Sequence, residues 1–376
     1  MKGSFRLGSL AGIDFKLHFT FPLILLMGAM QWSSPHGLPG AAFGALLMLA
    51  LFVCVALHEL GHALAARGFG IPVREIVLLP IGGVALLERN PRRPLHELVI
   101  AVAGPLVNVV IAVGLILFLG KGGSFPADPE ALVRATQEGL TLATLLHWLL
   151  VANLSLVLFN LIPAFPMDGG RMLRAVMAMF LGFRQATRVA TGVGQVLAEG
   201  LGVWGLMQGP IMLALVALFV FLGAGQERAA EEARTLLSSL VLGDAYNKHA
   251  LTLAPADRVD RVVDYLLTSY QPDFAVLHGD HLLGVVTKER VLRSMATGEG
   301  NGYVTSIMDR EVPRFPPHLS LAEVQERMEQ AAVSVAAVFE NDRFLGLVNL
   351  DDLREALQIA AFQQVAGRDR EDLHAA

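Results

Sequence analysis

Leu57-His58-Glu59-Leu60-Gly61-His62-Ala63 lies inside an apolar run that extends from about residue 41 to residue 67. On a helix, positions i and i+4 share a face, so the imidazoles of His58 and His62 can point at a single ion. Neutral His nitrogens suit zinc, and two of them leave such a site short of ligands. Glu59 adjoins the pair, placed to act as general base toward water whose pKa the metal lowers. Within an apolar helix each ionisable side chain costs about 3 kcal/mol by insertion scales. Two His and one Glu so close together therefore need a compensating partner. A metal supplies one; a proton-relay cluster in a transporter is the rival reading.

The surrounding chain is built to match. It has 376 residues, 54% hydrophobic and 17% charged, with a mean hydropathy of +0.53. Soluble domains usually carry about a quarter charged residues. A helix needs roughly 20 apolar residues to cross a bilayer. Six stretches are read as spans: 18–33, 41–67, 95–120, 139–162 continuing as a broken helix to about 182, 186–206 and 208–225. The fifth is the weakest, being diluted by Thr187, Thr191, Gln195 and Glu199. The first run leads straight into the second without a small-residue cleavage site, so it is read as a span rather than a signal peptide.

Residues 1–225 hold 14 Lys/Arg against 10 Asp/Glu, a net of +4, whereas 226–376 hold 15 against 24, a net of −9. The expected order is thus a polytopic α-helical membrane domain (1–225), a charged helical linker (226–240), an acidic soluble domain (241–360) and a tail (361–376). The single cysteine, Cys54, excludes an internal disulfide. No broad basic patch offers itself to phosphates, which counts against a nucleic-acid partner.

Basic residues cluster in alternate loops. Lys2, Arg6 and Lys16 precede the first span; Arg67, Arg74, Arg89, Arg92 and Arg93 follow the second; Arg171, Arg174, Arg184 and Arg188 surround the break before the fifth. Loop 34–40 has none, and 121–138 has only Lys121 and Arg134. The positive-inside rule puts both termini and the soluble half in the cytoplasm of a multi-pass cell-membrane protein.

Ile13-Asp14-Phe15-Lys16-Leu17-His18-Phe19-Thr20 alternates with period two, as a strand does. In 71–88, two apolar runs flank Gly82-Gly83, which suits a tight hairpin turn there, with Pro80 on an edge or bulge. A small membrane-associated β-sheet is expected at the cytoplasmic boundary.

A catalytic zinc needs a third protein ligand and an open position. The candidate is Asp168, in a stretch running from Asn160 through Pro163 and Pro166 to Gly169, Gly170 and Arg171. Two prolines and two glycines must unwind an apolar helix there. Irregular backbone at membrane depth is tolerated only beside protein or a wet cavity, and hydrolysis needs that water. Capping of the next helix is the plainer role for Asp168; the incomplete His pair favours the metal. Cys54, one turn before His58, reads as a small buried residue. His96-Glu97-Leu98 starts like the metal motif but lacks a second His. Glu199, His147 and His18 receive no role.

These motifs, in this order, resemble the site-2 protease family of intramembrane zinc metalloproteases, in its bacterial and archaeal branch with cytoplasmic CBS domains. The similarity spans about 13–225. His58, Glu59, His62, Asn160, Pro163 and Asp168 fall on the family's HExxH and N-x-x-P…DG positions. Ala103-Gly104-Pro105 with Asn108 matches a recurrent family segment whose small residues permit close helix contact. The resemblance implies one zinc per chain, held by His58, His62 and Asp168, with Glu59 as catalytic base. It implies hydrolysis of a peptide bond in or near the transmembrane segment of a membrane-spanning protein substrate, close to the cytoplasmic face. Asn160 and Pro163 are then expected to position substrate or the loop; satisfying the unwound backbone is the alternative for Asn160. The hairpin at Gly82 and Gly83 offers an edge to which an unwound substrate can add, or serves as a structural plug.

The soluble half repeats itself at about 60 residues. Strands at 274–277 and 282–287 lead into a helix from Lys288; strands at 334–339 and 344–349 lead into a helix from Leu350. Amphipathic helices near 257–268 and 320–330 precede them. The duplication resembles a tandem CBS pair of α+β fold. Such pairs often bind adenine nucleotides between their halves and regulate an attached domain. That pattern wants Thr or Ser, then Asp three residues later. The first unit has Thr287 but Arg290, and the second has Asp352 but Asn349. Thr287 and Asp352 are the nucleotide-binding candidates, with dimerisation into a homo-oligomer or substrate docking as the alternative.

The reading is a zinc metalloendopeptidase of the membrane interior, releasing a membrane-tethered regulator under control of the CBS pair. A CBS-gated ion transporter or channel is the alternative; it leaves Glu59 between two His on one helix turn without a purpose. A catalytically inactive family member is the third reading.

Overall fold

Strand alternation and apolar length sort the chain into two compact units, Met1–Ala229 and Ala230–Ala376. The computed structural model describes residues 3–80, 82–87, 91, 93–121, 136, 139–207, 209–269, 271–298 and 300–375. Lys2, Arg89, Arg92 and Arg134, used in the charge argument, lie outside them, as does most of 121–138.

In the first unit the period-two stretch forms β2 (Ile13–His18), paired antiparallel with β1 (Ser4–Leu10) and parallel with β3 (Val73–Leu79). A parallel pair needs a long crossover, and helix α1 (Phe21–Gly68) provides it. Strand β4 (Gly82–Leu87) closes an order β1-β2-β3-β4 as an outer edge. Ile13, Val73, Ile76 and Leu78 of the sheet pack with Phe21, Phe52, Leu60 and Ala63 of α1 and with Ile100 beyond it, in one core cluster. The sheet is thereby held against the helix that bears His58 and His62.

The hairpin turn differs from the sequence reading. Leu79 pairs with Gly82 and Leu78 with Gly83, so both glycines begin β4, and Pro80 rather than Gly82-Gly83 lies at the turn. Proline has no N–H to give a ladder, which suits it to the bend; glycine, lacking a side chain, suits a strand that must approach another element closely.

Helix α1 is broken at Gly37 (φ 61°, ψ −142°), a conformation glycine adopts at little cost. The chain folds back there: a Cβ on Gly44 would lie 2.1 Å from the Gly28 carbonyl oxygen. The expected 34–40 connection is therefore a kink at one residue. Next come α2 (Pro94–Lys121), α3 (Leu142–Asn160), α4 (Asp168–Leu181), α5 (Phe183–Met207) and α6 (Ile211–Ser239). By length and composition, four helices among the described residues can cross a membrane: His36–Gly68, Pro94–Gly120, Leu142–Asn160 and Ile211–Ser239. Of the six expected spans, the limb before Gly37 is too short for that measure, and polar residues dilute α5. The segment expected as a linker continues α6 without interruption.

The second unit holds two three-stranded sheets of like design. One has order β5-β6-β7 (Thr252–Leu253, Asp273–His278, His281–Thr287) and the other β10-β9-β8 (Arg343–Asn349, Val335–Glu340, Arg314–Phe315). Helices α7 (Val259–Thr268) and α8 (Lys288–Ala296) serve the first, α9 (Leu321–Gln330) and α10 (Leu350–Ala375) the second. Ala275 and Val285 of one sheet pack with Val335, Ala337 and Leu347 of the other, so the repeats share a core. The expected strands and helices all form; the two-residue strands β5 and β8 are additions.

Candidate metal centre

His58 and His62 stand one turn apart near the end of α1. Gly61 lets α2 cross this turn at close range, since a Cβ there would lie 2.7 Å from Val107 Cγ2. Opposite, a Cβ on Gly104 would lie 2.2 Å from His62 Nε2 and 2.7 Å from His58 Nε2. Asp168 lies in the first turn of α4, where the N-cap is Met167. Asp168 is thus the first helical residue rather than the N-cap, and the N-cap itself makes no side-chain hydrogen bond. The unwound segment before it is compact: Ala164 N–H bonds to Ile162 O at 2.7 Å and Met167 N–H to Ala164 O at 3.1 Å. Gly169 and Gly170 lie against its backbone, with built Cβ atoms 2.3 Å from Ile162 O and 2.6 Å from Ala164 C.

The three side chains converge, all buried. His58 Nε2 and His62 Nε2 each lie 3.2 Å from Asp168 Oδ2 and 3.0 Å from one another. A tetrahedron with zinc bonds of about 2.0–2.1 Å has edges of about 3.3–3.4 Å, so the spacing fits that ion. Proton placement fits too. Asn153 Nδ2 donates to Leu149 O at 2.8 Å, and Asn108 Nδ2 donates to Asn153 Oδ1 at 2.8 Å. That chain leaves Asn108 Oδ1 as the acceptor for His58 Nδ1 at 2.5 Å. Ile100 O accepts from His62 Nδ1 at 2.6 Å. Each neutral imidazole thus spends its proton on Nδ1 and turns a lone pair inward. Three acceptors facing one another call for a cation between them.

Glu59 is half-buried beside the pair. Gly83 of β4 presses on it, with a built Cβ 2.4 Å from Glu59 Cγ; the neighbouring Gly82 pairs with Leu79 at φ +141°. Asn160 ends α3 and Pro163 is exposed in the unwound segment. Among the described residues the Asn160 amide makes no side-chain hydrogen bond, so the structure does not join it to the triad. Cys54 is buried and its Sγ takes a hydrogen bond from Asn153 Nδ2 at 3.4 Å. Sequence reading missed the orienting roles of Asn108, Asn153 and the Ile100 carbonyl. A polar amide deep in an apolar run was the available signal.

In the second unit a cavity of about 290 Å³ is lined by Asn247, Gln271, Asp273, Leu347, Asn349 and Asp352, among others. Asp352 Oδ2 accepts from Asn349 N–H at 2.8 Å, and burial raises its pKa. Asp273 is buried, accepts from Asn349 Nδ2 at 3.1 Å, and burial pushes its pKa up to about 6. Thr287 does not line this cavity; its hydroxyl caps α8, accepting from Arg290 N–H at 3.4 Å. Arg290, standing where the acid is wanted, pairs with Asp309.

The profile of peptidase family M50 matches residues 46–136 and 127–199, and that of the CBS domain matches 304–359. A zinc metalloprotease of Methanocaldococcus jannaschii is 30% identical over 366 residues, covering 97% of this chain and 99% of the relative. The stage IV sporulation protein FB of Bacillus subtilis is 31% identical over 176 residues, 46% of this chain and 55% of that one. A solved site-2 protease from M. jannaschii is 40% identical, covering 60% of this chain and 95% of its own, with a TM-score of 0.44.

Proposed function

The chain belongs to peptidase family M50, the site-2 proteases, and on that premise we propose that it is an intramembrane zinc endopeptidase acting on membrane-spanning proteins. One observation carries the reading: the lone pairs of His58 Nε2, His62 Nε2 and Asp168 Oδ2 converge beside Glu59 within an apolar helix. Those three residues would hold one zinc. Bound there, zinc lowers the pKa of water toward 7 and polarises a peptide carbonyl. Glu59 takes the proton from the attacking water and passes it to the amide nitrogen as the C–N bond breaks. The imidazoles stay fixed, His58 held by the Asn108 amide and His62 by the Ile100 carbonyl. A transmembrane helix satisfies its backbone internally, so the substrate unwinds first and adds to the open edge of β4. Asn160 and Pro163 position the unwound segment beside that substrate.

The CBS pair regulates this activity from the cytoplasm, with both chain ends on the same side, and an adenine nucleotide is the effector its cavity is proposed to take. Asp352 is placed to meet the ribose; Thr287, engaged in its cap and outside the cavity, is the weaker contact. Pairing of CBS units between chains is the route to a homo-oligomer.

The deciding experiment co-expresses the full chain with candidate single-span proteins and compares wild type with Glu59→Gln. Cleavage is expected with wild type and abolished by Glu59→Gln, while bound zinc stays near one per chain and is lost with His58→Ala. Cleavage unaffected by Glu59→Gln, or a purified wild-type chain without zinc, overturns the proposal.

A further inference from the structure

Arg174 lies in α4, beyond the turn that carries Asp168, with its side chain only 14% exposed. Its Nε donates to Glu97 Oε1 at 2.8 Å, and its Nη2 reaches the same oxygen. Its Nη1 reaches Glu227 Oε1. The guanidinium carbon sits 5.0 Å from the centre of the Phe165 ring. One cation carried on α4 thus binds three other places: the first turn of α2 at Glu97, α6 at Glu227 and the unwound segment at Phe165. A planar guanidinium holds its partners in fixed directions, which a flexible ammonium does not. A buried charge that loses its partner is strongly unfavourable, so the group is a rigid clamp rather than a loose surface contact.

The clamp joins the two halves of the metal centre. Helix α2 carries the groups that orient both imidazoles, the Ile100 carbonyl one turn after Glu97 and the Asn108 amide further on. Helix α4 carries Asp168. The separation between the imidazoles and the carboxylate is therefore set where α4 is pinned to α2. We propose that Arg174, through Glu97, is a positioning residue that fixes Asp168 against the His pair. Glu97 was the residue whose sequence context imitated the metal motif; its work lies instead in this ion pair. Glu227 braces the guanidinium from α6, through Nη1 rather than through the nitrogens that meet Glu97.

Arg174 can act so only if the proposed site does hold zinc, and the test separates the two claims. Zinc affinity of the purified full chain is measured by competition with a chromogenic chelator, using wild type, Arg174→Gln, Arg174→Lys, Glu97→Gln and Glu227→Gln. Thermal unfolding is followed on each to count only folded protein. Loss of a group that orients a metal ligand typically costs 10–100-fold in affinity. Arg174→Gln and Glu97→Gln are expected to weaken zinc by that factor, Arg174→Lys to recover part of the loss, and Glu227→Gln to change it less than about threefold. If Arg174→Gln does not fold, Glu97→Gln and Arg174→Lys carry the comparison. A wild-type chain that binds no zinc refutes the metal site itself. Zinc bound by wild type with affinity unchanged in Glu97→Gln and both Arg174 variants, or weakened equally by Glu227→Gln, refutes the positioning role.

Discussion

Gly104 touches the tips of both imidazoles, so a methyl group there intrudes on the space between the ligands. Alanine is a better helix former than glycine by about 1 kcal/mol, and an ordinary helix would gain from the exchange. Gly104→Ala is expected to leave helical content unchanged, measured by circular dichroism, and to lower zinc affinity at least about tenfold, measured by equilibrium dialysis. His58, Glu59 and His62 were legible because each is costly in an apolar helix, and Asp168 because prolines and glycines mark its segment. Asn108 was quoted only within a small-residue motif, and Asn153 not at all. A buried amide has many ordinary uses, and only the hydrogen-bond chain to His58 distinguishes this one. The same limit applied to Asp352 and Thr287, whose side chains spend their oxygens on local backbone N–H groups.

Strand β4 meets α1 at Gly83 and Glu59, a contact between two elements that a side chain would force apart. Gly83→Ala is expected to reduce Glu59-dependent cleavage more than tenfold while bound zinc stays within twofold of wild type, about the cost of misplacing a catalytic group by an ångström. In the second unit the end of β6 buries Asp273 against Asn349. Its carboxyl titrates near 3.8 in a free chain and about 6 here, so between those values the folded state holds a proton that the unfolded state lacks. Stability from this group is therefore present below about pH 4, declines as pH rises, and is lost above about pH 6–7, a change of roughly 3 kcal/mol. Asp273→Asn should flatten that part of the melting temperature against pH and stabilise the protein at neutral pH; an unaltered profile would show that Asp273 does not titrate there. Strands β2, β6, β7, β9 and β10 were readable from alternation or repetition. Strands β5 and β8 were not, because two residues have no period, and the turn at Pro80 was misplaced because paired glycines signal turns more often than close approach.

At the scale of the molecule, composition alone separated an apolar half from an acidic one, and hydropathy located the helices of the first unit among its described residues. It could not show that α1 turns back at one glycine, or that α6 carries straight through the supposed linker, since both depend on backbone angles rather than residue type. Orientation can be tested with the single native cysteine as a quiet background, because Cys54 is buried. Leu38, beside the kink, is 84% exposed, and Asp280 is exposed at the turn between β6 and β7. With a membrane-impermeant maleimide, Leu38→Cys should label in intact cells and Asp280→Cys only after lysis; the reverse pattern would invert the topology. The open rim of the sheet has one more consequence. Neighbouring strands lie about 4.8 Å apart, so a guest peptide laid along β4 would have its backbone delivered to the base at a distance set by the pleat. Selection would then turn on how readily a helix frays at that depth, and hardly at all on the letters it spells.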